Sequence, residues 1–195
     1  MSHCLAEVST GRRWRGLFVL ALALPAAFST AVHARELRVE TVVDAAPEEI
    51  WRAWTTSEGA QSFFAPKANI RLAIGGPFEI YFNPADEAHS SKGMHILSYV
   101  PNEMLSFQWN APPNMPQVRN AGMWVVVRIR PDGARRSHVQ VTHLGWKDGA
   151  EWDLAYAHFQ RGWTDLLDRL QRRFASGPID WAREPMMWQE AQRPD

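Results

Sequence analysis

A histidine on an otherwise apolar strand face is the first place to look for chemistry in this 195-residue chain. Val139, Val141 and His143 alternate with His138, Gln140 and Thr142, so His143 points to the same side as the two valines. An imidazole that titrates near neutrality can orient a ligand there or serve as a general base. A core histidine satisfied by a backbone carbonyl, or one at the sheet rim, is the commoner source of such a pattern. Tyr156 lies one helical turn from Trp152 and is either a cavity hydroxyl or a core residue whose O–H finds a partner. Phe78, Trp109, Trp152, Phe159 and Trp163 are the rings that either line an apolar ligand pocket or fill a core. Asp86, Glu87 and His89 are metal-capable types in one loop, but their spacing matches no metal motif and reads as a solvated loop. No Gly-rich phosphate loop, nucleophile elbow or zinc motif is present, so the expectation is no cofactor and no metal.

These residues are organised by residues 148–178. Trp152, Tyr156, Phe159, Trp163, Leu166, Leu170 and Phe174 recur at spacings of three and four, which draws one apolar stripe along a long helix. Asp153, Arg161, Asp165, Asp168, Arg169 and Arg172 fall mostly off that stripe. Asp148 is the expected cap, with Glu151 reaching back to complete a capping box, and Gly177-Pro178 ends the helix. A rod of this kind needs a broad apolar surface, and the upstream residues supply one in strands. Leu37 to Val43 alternates as a half-buried strand. Pro47 opens a short helix carrying Ile50, Trp51 and Trp54, and a second begins at Ser57 and carries Phe63 and Phe64. The period then changes to two, through Ile70-Leu72-Ile74, Phe78-Ile80-Phe82, residues 94–100, Leu105-Phe107-Trp109, Met123 to Ile129 and Val139 to His143. Residues 111–120 hold three prolines and read as a loop. One strand, two short helices, about six antiparallel strands and one long helix make an α+β domain. A strongly twisted sheet curls, so a straight rod meets it only in places and leaves a cavity between.

Composition narrows the function classes. Basic and acidic residues balance at 21 each, which indicates neither nucleic acid nor an anionic membrane as a partner. Residues 1–34 read as a signal peptide: Arg12, Arg13 and Arg15, then an apolar run over 16–28 too short to span a membrane, then Val32-His33-Ala34 as a cleavage site. Cutting after Ala34 removes the chain's one cysteine and shifts the formal charge from 0 to −2. The mature chain then has no disulfide, no thiolate and no stable membrane span. The expected organisation is a signal peptide over 1–34, one domain over 35–177 and a tail over 178–195, with the product periplasmic or secreted.

Several stretches resemble one family. They are Ala45-Ala-Pro-Glu-Glu-Ile-Trp51, Trp54-Thr-Thr-Ser-Glu-Gly59, Gly75-Gly-Pro-Phe-Glu-Ile80, Thr142-His-Leu-Gly-Trp146, Glu151-Trp152 and Gly177-Pro-Ile-Asp-Trp181. In order and spacing they are similar to the SRPBCC (START-like, helix-grip) superfamily, in the bacterial branch that resembles the activator of heat-shock-protein-90 ATPase and is grouped with polyketide cyclases. The resemblance covers residues 36–181. It implies a curved antiparallel sheet gripping a long C-terminal helix, with an apolar cavity between. Members bind ligands, cyclise polyketides or assist chaperones, so the fold does not select the function. The leading expectation is an exported protein that binds a small apolar or amphipathic molecule through Phe78, Trp109, His143, Trp152, Tyr156, Phe159 and Trp163. The alternatives are a cyclase- or hydrolase-type enzyme using His143 and Tyr156, and a chaperone activator. A periplasm, with neither a cytosolic chaperone nor ATP, disfavours the last.

Overall fold

β1 (Leu37–Val43) leads into the first two helices through local signals that its sequence carries openly. This computed structural model describes residues 35–184. The signal peptide over 1–34, its cut after Ala34 and the end of the tail, Trp188 included, lie outside the described residues. α1 (Pro47–Thr55) starts at a proline whose fixed φ suits a first helical position, and Glu49 Oε2 accepts from Ala46 N at 3.0 Å. α2 (Ser57–Gln61) is capped by Thr56, whose hydroxyl accepts from Gly59 N at 3.0 Å. Gly59 is needed for close approach: a Cβ there would stand 2.3 Å from the Arg52 carbonyl oxygen of α1.

The strands follow as β2 (Lys67–Ile70), β3 (Phe78–Tyr81), β4 (Ile96–Val100) and β5 (Met104–Trp109). After a short helix α3 (Pro116–Arg119) come β6 (Met123–Pro131), β7 (Ser137–Leu144) and the long helix α4 (Ala150–Ser176). β1-β7-β6-β5-β4 is one antiparallel sheet. Its register sets Leu37 and Val125 beside His143, Val127 beside Val141 and Leu105, and Phe107 beside Val125. Because side chains alternate with a period of two, these residues share one face, and that face receives α4. β2 and β3 pair only with each other, joined to β4 by a bridge between Pro77 and His95.

α4 runs alongside the edge strand β1 in the same direction. Tyr156 Oη donates to Glu36 O at 3.1 Å, and Gln171 Nε2 donates to Val42 O at 2.9 Å. Six strand residues at about 3.3 Å and fifteen helical residues at about 1.5 Å both cover about 20 Å, so the two bonds are in register. Arg35 adds a salt bridge to Asp153 at 2.6 Å and lies 4.2 Å over the Tyr156 ring. Among the described residues no helix is long and apolar enough to cross a membrane.

Five local expectations are corrected. The second short helix ends at Gln61, so Phe63 and Phe64 follow it in a turn instead of riding on it. The strand predicted through Ile74 ends at Ile70, and Ile74 is 76% exposed in the turn before Gly76. There a Cβ would lie 2.2 Å from Arg71 O, so the chain turns too tightly to extend a strand. Residues 111–120 are not wholly loop, since Pro116–Arg119 is helical with proline at its first position. No capping box forms at the start of α4. Its cap is Gly149, and Glu151 turns away to accept from Val118 N of α3 at 3.0 Å. Arg169, placed off the stripe by its charge, is buried at 7% exposure. The rest of the stripe stands: Trp152, Phe159, Trp163, Leu166 and Leu170 are buried, and Tyr156 and Phe174 are half-buried.

Candidate functional site

Phe159, Trp163 and Leu166 project from one side of α4 at helical spacing, and beside them the helix parts from the sheet. The gap is a cavity of about 490 Å³. Trp109, at the end of β5, forms the sheet-side wall, and Phe64 closes the wall from beyond α2. Phe82 and Ser90 approach from the loop after β3, and Pro112 and Met115 from the loop that leads to α3. Ala88, Pro113 and Asn114 are exposed at the mouth. The rings of the wall brace one another. Phe64 stacks on Trp109 at 5.7 Å, Trp109 meets Trp163 at 5.3 Å, and Phe82 stands edge-on to Trp109 at 6.2 Å. The cavity is thus held open by interlocked side chains, and its size falls in the range of small-molecule sites.

Four basic side chains reach the wall, and one of them, His89, is paired with Asp86. Arg119 donates to Ala111 O and so ties α3 to the loop before it. Burial, with Arg161 nearby, holds His158 below the usual histidine range. Burial also pushes the Arg169 guanidinium down, while Glu184, Asp165 and Asp168 pull it up and Arg172 pushes it down. Among the described residues, Arg169 Nε has no hydrogen-bond partner, and neither has Trp109 Nε1.

His143 sits beneath the cavity and does not line it. Trp163 Nε1, a donor only, gives its hydrogen bond to His143 Nδ1 at 3.2 Å. Nδ1 is therefore the acceptor, and the neutral ring carries its proton on Nε2. Among the described residues that nitrogen has no hydrogen-bond partner, and the imidazole packs against the rings of Phe159 at 4.8 Å and Trp146 at 4.9 Å. Burial lowers the His143 pKa from 6.5 to about 3, so the ring is uncharged at neutral pH. Its role in this arrangement is to hold the Trp163 indole, whose ring lines the cavity.

Of the seven residues picked out from sequence, the structure brings Trp109, Phe159 and Trp163 together around the cavity. Phe78 lies deeper, stacked on Phe107 at 3.8 Å. Trp152 and Tyr156 pack on Trp146, at 6.3 Å and 5.0 Å, and Tyr156 Oη bonds the backbone of Glu36. His143 and Tyr156 do not meet in the cavity, so the arrangement required of a His–Tyr enzyme is not formed. The loop acids are engaged locally, Asp86 with His89 at 2.6 Å and Glu87 with Lys92. Sequence reasoning missed Phe64, Phe82, Arg119, His158 and Arg169. For Arg169 a signal existed: it follows Leu166 by three residues, on the stripe, and only its charge argued for solvent.

A family model described as Activator of Hsp90 ATPase homolog 1-like protein matches residues 44–175. Among solved structures, a Mesorhizobium loti protein is similar with a TM-score of 0.60 and 22% identity, over 74% of this chain and 100% of that one. The Aha1 dimer from Colwellia psychrerythraea is similar at 0.57 and 18%, over 73% and 98%. CalU16 from Micromonospora echinospora is similar at 0.54 and 20%, over 76% and 79%. At these identities the likeness is one of fold. A search of curated proteins returned no match.

Proposed function

We propose, from the premise that this chain belongs to the Activator of Hsp90 ATPase homolog 1-like family within the helix-grip superfamily, that its domain binds a small apolar or amphipathic molecule between α4 and the sheet. The observation that carries this reading is the aromatic cavity of about 490 Å³. Its walls, Phe64, Trp109, Phe159 and Trp163, are braced by one another, so little ordering cost remains for a ligand to meet. A core of close-packed rings would instead have excluded such a space.

The test is a titration of purified protein with naphthalene derivatives, medium-chain fatty acids and fused-ring phenols, following tryptophan emission. Trp109 and Trp163 in the wall make a saturable change the expected result. Gly162→Leu places a side chain into the lining from α4 and is expected to abolish that change. Silence across the whole set, or binding indifferent to Gly162→Leu, overturns the reading. The same proposal places the working protein outside the cytoplasm after removal of residues 1–34. N-terminal sequencing of protein from its native host is expected to read Arg35 first, and an intact Met1 end overturns that part.

A further inference from the structure

The cavity wall is one-sided in its chemistry. Its lining includes Arg119, Arg169 and His158, together with His89, which is paired with Asp86, and among the described residues it contains no aspartate or glutamate. Four buried side-chain nitrogens among the described residues lack a hydrogen-bond partner. Two of them, Arg169 Nε and Trp109 Nε1, belong to residues of this wall. Both are donors, so each lacks an acceptor. Arg169 is the more telling of the two. It is 7% exposed, and a guanidinium stays charged at any pH a folded protein meets. Three carboxylates act on it from outside the lining. Glu184 forms a paired hydrogen bond with Arg172, at 3.1 Å and 2.5 Å, and Asp165 and Asp168 lie on the exposed side of α4. A buried charge with an unsatisfied donor costs stability, and an anion seated against it recovers that cost.

Building on the ligand-binding reading above, we infer that the cavity takes an apolar, ring-bearing molecule carrying an anionic acceptor such as a carboxylate, seated on the Arg169 guanidinium while its body lies among Phe64, Trp109 and Trp163. Arg169 is then the residue that selects acids from their neutral counterparts. The ring wall supplies affinity to both.

Calorimetric titration of the full chain with 2-naphthoate and with methyl 2-naphthoate tests this. The two share the ring system and differ in the charge, and the ester is the more apolar. An indifferent apolar cavity would therefore favour the ester. The acid is expected to bind about ten- to a hundred-fold tighter, as a charge-assisted hydrogen bond predicts. In Arg169→Met that preference is expected to vanish, the acid losing more affinity than the ester, and Arg169→Lys is expected to keep part of it. Equal affinity for acid and ester in the native chain overturns the inference and leaves the apolar cavity standing. Binding of neither overturns the inference, and the wider ligand set then decides the ligand-binding reading separately. A preference that survives Arg169→Met overturns the assignment to this residue. Should Arg169→Met fail to fold, the native pair of titrations and the lysine variant still decide.

Discussion

His143 and Arg169 are both buried basic side chains with an unpartnered ring or guanidinium nitrogen, yet their surroundings differ completely. His143 is fully buried against the rings of Trp146, Phe159 and Trp163 and does not line the cavity. Arg169 borders a cavity. The difference follows from what each group does when water is removed. Imidazole sheds its proton, so a dry aromatic cage merely lowers its pKa to about 3 and leaves a neutral ring that can pack. Guanidinium keeps its charge, so burial leaves it dependent on whatever anion can approach. One helix therefore presents a packed region and a receptive region a few turns apart. Trp163 joins them, giving its N–H to His143 and its ring face to the cavity.

Removing that joint is expected to have the largest effect. Trp163→Ala deletes a buried indole that touches Phe64, Trp109 and Phe159 and leaves His143 Nδ1 without its donor. Urea unfolding is expected to show a loss of about 3–5 kcal/mol. A loss below about 1 kcal/mol would mean that the two regions are not coupled through this ring.

The next effect is a pH dependence of the packed region. The folded pKa of His143 is depressed, so the unfolded chain takes up the proton first as pH falls below 6.5. The stabilising contribution is complete above about 6.5 and drains away between 6.5 and about 3. By pH 5 the loss amounts to about 2 kcal/mol. His143→Leu is expected to cost about 1–3 kcal/mol at pH 7, because Trp163 Nε1 loses its acceptor. It is also expected to abolish this part of the acid sensitivity, so the gap between the two proteins narrows by about 2 kcal/mol at pH 5. Parallel pH curves for native and variant would refute the neutral, caged histidine.

The smallest stability change belongs to the receptive region. Arg169→Met removes a buried charge without stranding a buried partner, since Glu184 keeps Arg172. Unfolding free energy is expected to move by less than about 1 kcal/mol in either direction. A loss of several kcal/mol would show that Arg169 is a structural strut, and the contrast with His143 would disappear.

Much of the architecture was legible because its determinants are local. The spacing from Trp152 to Phe174 named the long helix, and the alternation of Val139, Val141 and His143 put that histidine on the inward face, where it lies fully buried. Pro47 and Gly177 bounded helices where proline and glycine chemistry places bounds. The failures were equally physical. Asp148 and Glu151 satisfy a capping pattern, but Val118 N, 33 residues away in sequence, took the Glu151 carboxylate. Ile74 continues a period of two, but Gly76 demands a turn too tight for pairing. Trp152 and Trp163 look alike on the stripe, and only Trp163 reaches the cavity.

The sequence by itself determined where the chain is helical, where it is extended and which faces are apolar, because backbone periodicity and turn chemistry act over a few residues. Only the tertiary structure decided which part of the aromatic stripe is packed and which faces open space. That outcome depends on strand register and on loops folding back from distant positions. Phe64, Trp109 and Met115 reach the cavity beside α4 from three separate segments, and Arg169, a charge read from sequence as off the stripe, lines that same cavity at 7% exposure.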